Sequence, residues 1–204
     1  PRDAGDILVG GTPHALTRPA QARDAGIGMV YQHPSLVPEF TVMENMLLGR
    51  GAAFRLERAR AMDELRRLAV GLGVKIDPDA VTGKLPPGRQ QSVEIIKLLA
   101  SGARILILDE PTSLLAPQET VELQRMLSAL RADGLAVVLI THRLPEALSL
   151  ADRVTVLRAG RVAAVIGPEE LAASERVSLQ AQIVRAMFGE GAEELSEMAE
   201  MTGS

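Results

Sequence analysis

The chain has 204 residues, a net charge of −4 and 47% hydrophobic residues, room for one domain or one and a half with a buried core. It contains no cysteine, no tryptophan and only 2% aromatics. That excludes a disulfide framework, a thiolate metal site and a stacking platform for single-stranded nucleic acid. The acidic balance also speaks against a nucleic-acid partner. No apolar run approaches the ~18 residues of a membrane span, and the opening PRDAGD does not read as a signal peptide. Any membrane role is expected to come through a partner.

In chain order, residues 5–9 (GDILV) and 27–31 (IGMVY) read as short strands, with Gly10, Gly11, Thr12 and Pro13 as turn chemistry between them. The period changes from Thr41. Met62, Leu65, Leu68, Ala69 and Leu72 follow helical spacing, and so do Val93, Ile96, Lys97 and Ala100, so 41–100 reads as a mostly helical block. Arginines at 50, 55, 58, 60, 66 and 67 are interleaved with Glu57, Asp63 and Glu64, the pattern of an exposed, salt-bridged helix rather than a basic patch.

Residues 104–113 read RILILDEPTS. The apolar run 105–108 predicts a strand buried on both faces of a parallel sheet. It ends on Asp109 and Glu110, at the rim where open α/β sheets bind ligands. Side chains alternate along a strand, so the two carboxylates need not share a task. One suits Mg²⁺, the other the orientation or deprotonation of a water. The plain alternative is a polar strand end turning at Pro111.

Pro117, Gln118 and Glu119 open a helix whose apolar face is Val121, Leu123, Met126, Leu127 and Leu130, and Gly134 follows its end. Residues 136–140 read as a second buried strand, ending at Thr141 and His142. Residues 154–157 and 162–166 predict a hairpin turning at Ala159 and Gly160, and 175–188 one last helix. The acidic stretch beyond Gly189 is expected to be a linker or frayed end.

Each signal is weak alone, but their order is specific: Gln32 after a strand, a helical block, Leu85-Pro86-Pro87-Gly88-Arg89-Gln90 opening a helix, the Asp109-Glu110 strand, residues 113–116 leading into a helix, and a strand ending at His142. The chain resembles the nucleotide-binding domain of ATP-binding cassette (ABC) transporters from its first residue to about Gly189. GIGMVYQHPSLVPEFTVMENMLLG, RQQSVEIIKLLASGARILILDEPTSLLAPQE and THRLPEALSLADRVTVLRAGRV are similar to the ATP-binding subunits of bacterial importers for simple sugars and nucleosides, and IVRAMFG resembles the end of their first module. GIGMVYQH leans toward the nucleoside branch and PTSLL toward the sugar branch, with nucleosides narrowly favoured.

The resemblance implies an α/β, P-loop NTPase-like ABC ATPase core, N-terminally truncated, with an inserted α-helical subdomain. Its parts would be a partial core over 1–40, a helical subdomain with a degenerate signature motif over 41–100, core again over 101–167, a C-terminal helix over 168–189 and a tail over 190–204. It implies ATP and Mg²⁺ as cofactors, with Asp109 and Gln32 toward the metal, Glu110 polarising the attacking water and His142 contacting the γ-phosphate. Leu85, Pro86, Pro87, Gly88, Arg89 and Gln90 would form the signature that faces ATP held by a partner domain. Ser113, Leu114, Leu115 and Ala116 would form the D-loop. The implied partners are a second ABC module, membrane permease subunits and, indirectly, a solute-binding protein, with no nucleic acid, at the cytoplasmic face of the membrane. His14 and His33 match no role.

Two departures qualify the resemblance. No GxxxxGK[ST] phosphate loop occurs in the 204 residues. The chain is therefore expected to begin after that loop, to be inactive alone and to leave an exposed sheet edge. In the signature, Pro86 stands where the family has Ser, and Pro87 where it has a residue with an N–H. Proline supplies neither hydroxyl nor N–H, so anion binding is expected to be weak, with the Gly88 N–H and the Arg89 charge left. Ala116 also stands where Asp is common. A soluble, non-transport ABC ATPase and a non-enzymatic remnant are the alternative readings.

Overall fold

The computed structural model describes residues 4–48 and 54–189. The tail over 190–204 and Arg50 lie outside the described residues. The chain splits into two compact units, Pro1–Ile140 and Thr141–Ser204, and each is described by itself.

The first unit opens with an antiparallel hairpin, β1 (Ile7–Val9) and β2 (Thr12–His14). Its turn is Gly10-Gly11 alone, at φ +58° and +79°. Two successive positive φ values belong to the tight turn that matches strand twist. Thr12 and Pro13, expected in the turn, therefore begin the second strand, and a two-stranded ribbon has edge positions where proline's missing N–H costs nothing. Helix α1 (Pro19–Asp24) follows, then β3 (Ile27–Val30).

The block over 41–100 holds α2 (Val42–Leu47), α3 (Phe54–Gly71), a single 3₁₀ turn at Thr82–Lys84 and α4 (Pro87–Ala100). Thr41 and Glu44 form a capping box at the start of α2. The Thr41 N–H donates to Glu44 Oε2 at 2.7 Å, and the Glu44 N–H donates back to Thr41 Oγ1 at 3.2 Å. The backbone bond from Thr41, then its hydroxyl, holds the Glu44 carboxyl below its ordinary pKa. Val42, Met43, Met46, Leu65, Val93 and Ile96 pack into one apolar core with Leu36. The charged face of α3 carries the expected pairing, Arg60 to Glu57 at 3.6 Å, and Arg58 reaches Asp79 at 3.4 Å.

The chain returns as β4 (Ile105–Asp109), α5 (Pro117–Ala132) and β5 (Ala136–Ile140). The three strands form a parallel sheet in the order β3-β4-β5. Leu106 and Leu108 of β4 are fully enclosed. Strand β5 is less buried than its apolar sequence predicts: Val138 and Ile140 are 48% and 47% exposed. Among the described residues β5 is an edge of this sheet, and burial of an apolar strand depends on what covers it.

The second unit holds α6 (Leu144–Leu150), the antiparallel pair β6 (Val154–Arg158) and β7 (Arg161–Ile166), α7 (Pro168–Ala173) and α8 (Arg176–Phe188). Val156 and Ile166 on one face of the hairpin pack against Leu179 and Ile183 of α8. The helix expected over 168–189 is two, α7 and α8, parted at Ser174 and Glu175. Helices α1 and α6 were not expected from periodicity: each is six or seven residues long, too short to show it, yet each has proline in its first two positions.

Candidate functional site

The parallel register sets the first part of the site. Val30 lies opposite Leu108, and Leu108 opposite Leu139, so the carboxyl ends of β3, β4 and β5 come level. Gln32, two residues past β3, is exposed, and Asp109 and Glu110 are half-buried. Asp109 sits opposite Ile140. Glu110 leaves the strand in the left-handed region at φ +46°. A non-glycine residue there costs roughly 1–3 kcal/mol and persists where its surroundings fix it. The surroundings do so on both sides. Its N–H donates to Ile140 O at 2.9 Å, and its carbonyl accepts from Ser113 Oγ at 2.9 Å and Ser113 N at 3.2 Å. The backbone at the carboxylate pair is thereby fixed by strand pairing on one side and a closed turn on the other. Pro111 and Thr112 are buried under that turn, Leu115 is half-buried, and Ser113, Leu114 and Ala116 are exposed.

The loop that carries Gln32 away from β3 is pinned to the helical block. Buried Asn45 accepts the Val37 N–H at 2.8 Å and donates to the carbonyls of Val37 and Thr41 and to Thr82 Oγ1. Buried Glu94 of α4 accepts from the Ser35 N–H at 2.9 Å and from the Ser35 hydroxyl. Neither Asn45 nor Glu94 was singled out in the sequence, because a polar residue inside a helical period gives no sign of what it will meet.

Among the described residues no group of three or more His, Cys, Asp or Glu forms a metal cage. The oxygen donors Asp109 and Gln32 suit a Mg²⁺ ion, which keeps most of its coordination as water and phosphate and takes few protein ligands. His142 lies in the second unit, exposed, two residues past Ile140.

The second part of the site is the start of α4. Pro86 is its N-cap and Pro87 its first residue, so the expected placement of 85–90 at a helix N-terminus holds. A free helix start normally offers N–H groups to an anion, but here every backbone donor of the segment has a partner. Leu85 N–H donates to Thr82 O, and Pro86 and Pro87 have none to give. Arg89 and Gln90 N–H both donate to Pro86 O at 2.9 and 3.0 Å. The Gln90 side chain donates to Leu85 O at 2.8 Å, and the Arg89 guanidinium pairs with Glu122 at 3.4 Å.

The Gly88 N–H, expected to remain for a ligand, is also taken. It donates to Glu119 Oε1 at 3.0 Å, and Glu119 Oε2 accepts the Ala116 N–H at 3.0 Å. One carboxylate thus spans the start of α4 and the start of α5. The approach is so close that a Cβ at position 88 would sit 2.8 Å from Oε1 and 2.9 Å from the Cβ of Glu119, so only glycine fits without a shift. Glu119 was read as a first-turn glutamate of its own helix. Its contact lies 31 positions back in sequence and left no signal there.

Parallel strands with a helical block inserted between β3 and β4, and an acid pair closing the central strand, define an α/β fold of the P-loop NTPase type. A family model described as ABC transporter matches residues 1–113. The chain is 40% identical over 188 residues to the ribose import ATP-binding protein of Rubrobacter xylanophilus, covering 91% of this chain and 37% of that protein. It is 41% identical over 159 residues to the nucleoside import ATP-binding protein NupA of Lactococcus lactis, covering 77% of this chain and 31% of that protein. An ATP-binding cassette of an ABC transporter in its ADP conformation superposes with a TM-score of 0.73 at 25% identity, covering 92% of this chain and 78% of that one. The chain belongs to the ABC transporter family. It spans just over a third of the length of the first of these relatives.

Proposed function

We propose that this chain is part of the ATP-hydrolysing motor subunit of a bacterial importer for nucleosides or simple sugars. The observation that carries the proposal is Asp109-Glu110 at the end of a parallel strand, with Glu110 held at φ +46°, in a chain about 40% identical to sugar and nucleoside import ATP-binding proteins. Phosphoryl transfer is mostly positioning and charge stabilisation, and the residues divide that work. Asp109 and Gln32 would hold Mg²⁺, which when bound would neutralise charge on the phosphates. Glu110 polarises the attacking water, and His142 contacts the γ-phosphate. Ser113, Leu114, Leu115 and Ala116 line the junction with a second ABC module, whose nucleotide faces residues 85–90.

The phosphate cradle is not among these 204 residues, so the chain by itself does not turn over ATP in this reading. The working assembly pairs it with a second ABC module and with permease subunits at the cytoplasmic face of the membrane, fed by a solute-binding protein. The α2–α3 block and the pinned loop after Gln32 are the means by which events at Gln32 reach the permease.

The test is ATP turnover of the complete importer carrying Glu110→Gln. A general base contributes about 10²–10⁴-fold, so turnover should fall by at least about a hundredfold with ATP binding retained. Turnover within a few-fold of the parent would overturn the assignment.

A further inference from the structure

We propose that Glu119 is an internal anion that closes the signature segment: its carboxylate spans the N–H groups of Gly88 and Ala116, so that residues 85–90 hold residue 119 where the segment would otherwise meet a nucleotide phosphate. The proposal rests on the reading that residues 85–90 face the ATP of a second module.

Three observations carry it. The first is that every backbone N–H at the start of α4 has an acceptor, and Gly88 is the one whose acceptor is not a local backbone carbonyl. The second is the chemistry of the group that takes it. A carboxylate is the side chain closest to a phosphate in charge and acceptor geometry, and a helix N-terminus favours negative charge. The third is the bridge itself. Glu119 sits at the third position of α5, and capping that helix requires only one oxygen, on Ala116. The second oxygen is directed out of its own helix onto Gly88, and the Arg89–Glu122 pair at 3.4 Å ties the same two helix starts together beside it. The absence of a side chain at position 88 is what admits Glu119 to this distance.

The bridge makes Glu119 a positioning residue. It acts through Gly88 and Ala116, and it links the D-loop segment to the signature segment, so neither helix start moves without the other.

Glutamine and aspartate substitutions separate bridging from capping. Glu119→Gln leaves a single acceptor oxygen, enough for the cap on Ala116 but not for both N–H groups. Glu119→Asp keeps the charge but shortens the side chain by one methylene. The experiment measures amide hydrogen exchange of the peptide covering residues 85–92 in the complete subunit, for the parent, Glu119→Gln and Glu119→Asp, with and without inorganic phosphate. In the parent, the Gly88 amide should be slow and phosphate should not change it. In both variants its exchange should rise at least about tenfold, and phosphate should slow it again, while helix α5 keeps the parent's exchange. Unchanged exchange at Gly88 in both variants, or protection of the parent by phosphate, would overturn the proposal. The readout needs no ATP turnover, so it stands or falls apart from the role given to Glu110. In the complete importer the same variants should lower the KM for ATP by at least about threefold. A KM equal to or above the parent's would contradict closure.

Discussion

The strand-end site and the signature segment are both places where the chain leaves a regular element, and they have resolved their polar groups in opposite ways. At the end of β4 the backbone of Glu110 is strained and hydrogen-bonded on both sides, which fixes where the chain leaves the sheet beside Asp109. At the start of α4 the backbone is relaxed and its donors are turned inward, onto Thr82, Pro86 and Glu119. A site prepared for chemistry can store backbone strain. A segment whose hydrogen bonds are all met internally has no deficit for a ligand to fill. Two segments of one chain, joined by a single helix and strand, can therefore differ in how far their polar groups are left for a ligand.

The contrast can be broken most forcefully at Glu110, where substitution by glutamine should remove about 10²–10⁴-fold of turnover, equal to about 3–5 kcal/mol of barrier. Next comes the floor beneath it. Leu108 is fully buried one residue before Asp109, and Leu108→Ala should cost about 2–5 kcal/mol in chemical denaturation. The same change should speed amide exchange at Glu110 more than at Gly88, because only the first depends on β4. Asn45→Ala removes four hydrogen bonds, three to the loop after Gln32 and one to Thr82. With the Val37 N–H left unanswered, it should cost about 1–3 kcal/mol.

The smallest effect is at Glu44. Its folded pKa is depressed, so the capping box contributes fully above the ordinary carboxylate pKa of 4.5 and is lost as pH falls through the lower folded value. The thermal midpoint of the parent should therefore fall further than that of Glu44→Gln in this acid window, and an equal fall in both would remove the box from the account. Neither half of the site should respond to that change.

What could be read from the sequence followed the range of the interaction. The run 105–108 announced β4, Pro117 and Gly134 bounded α5, and Ala159-Gly160 marked the hairpin turn, because each is decided by neighbours in the chain. Pro86 and Pro87 at the start of a helix were legible for the same reason, and so was their lack of donors. The occupancy of the Gly88 N–H was not, since it depends on α5 packing against α4. The pinning of the Gln32 loop by Asn45 and Glu94 was hidden likewise. The exposure of Val138 and Ile140 was missed because apolar content reports what a strand would bury, not what lies beside it.

The claim that the strand-end site is prepared while the signature segment is closed is tested most directly by ATP turnover of the complete importer carrying Pro86→Ser, Pro87→Val and Glu119→Gln together. These changes restore a hydroxyl and a backbone N–H and release the Gly88 N–H. Turnover should rise above the parent's, and adding Glu110→Gln to the triple variant should remove the gain. Turnover of the triple variant equal to the parent's would contradict the account.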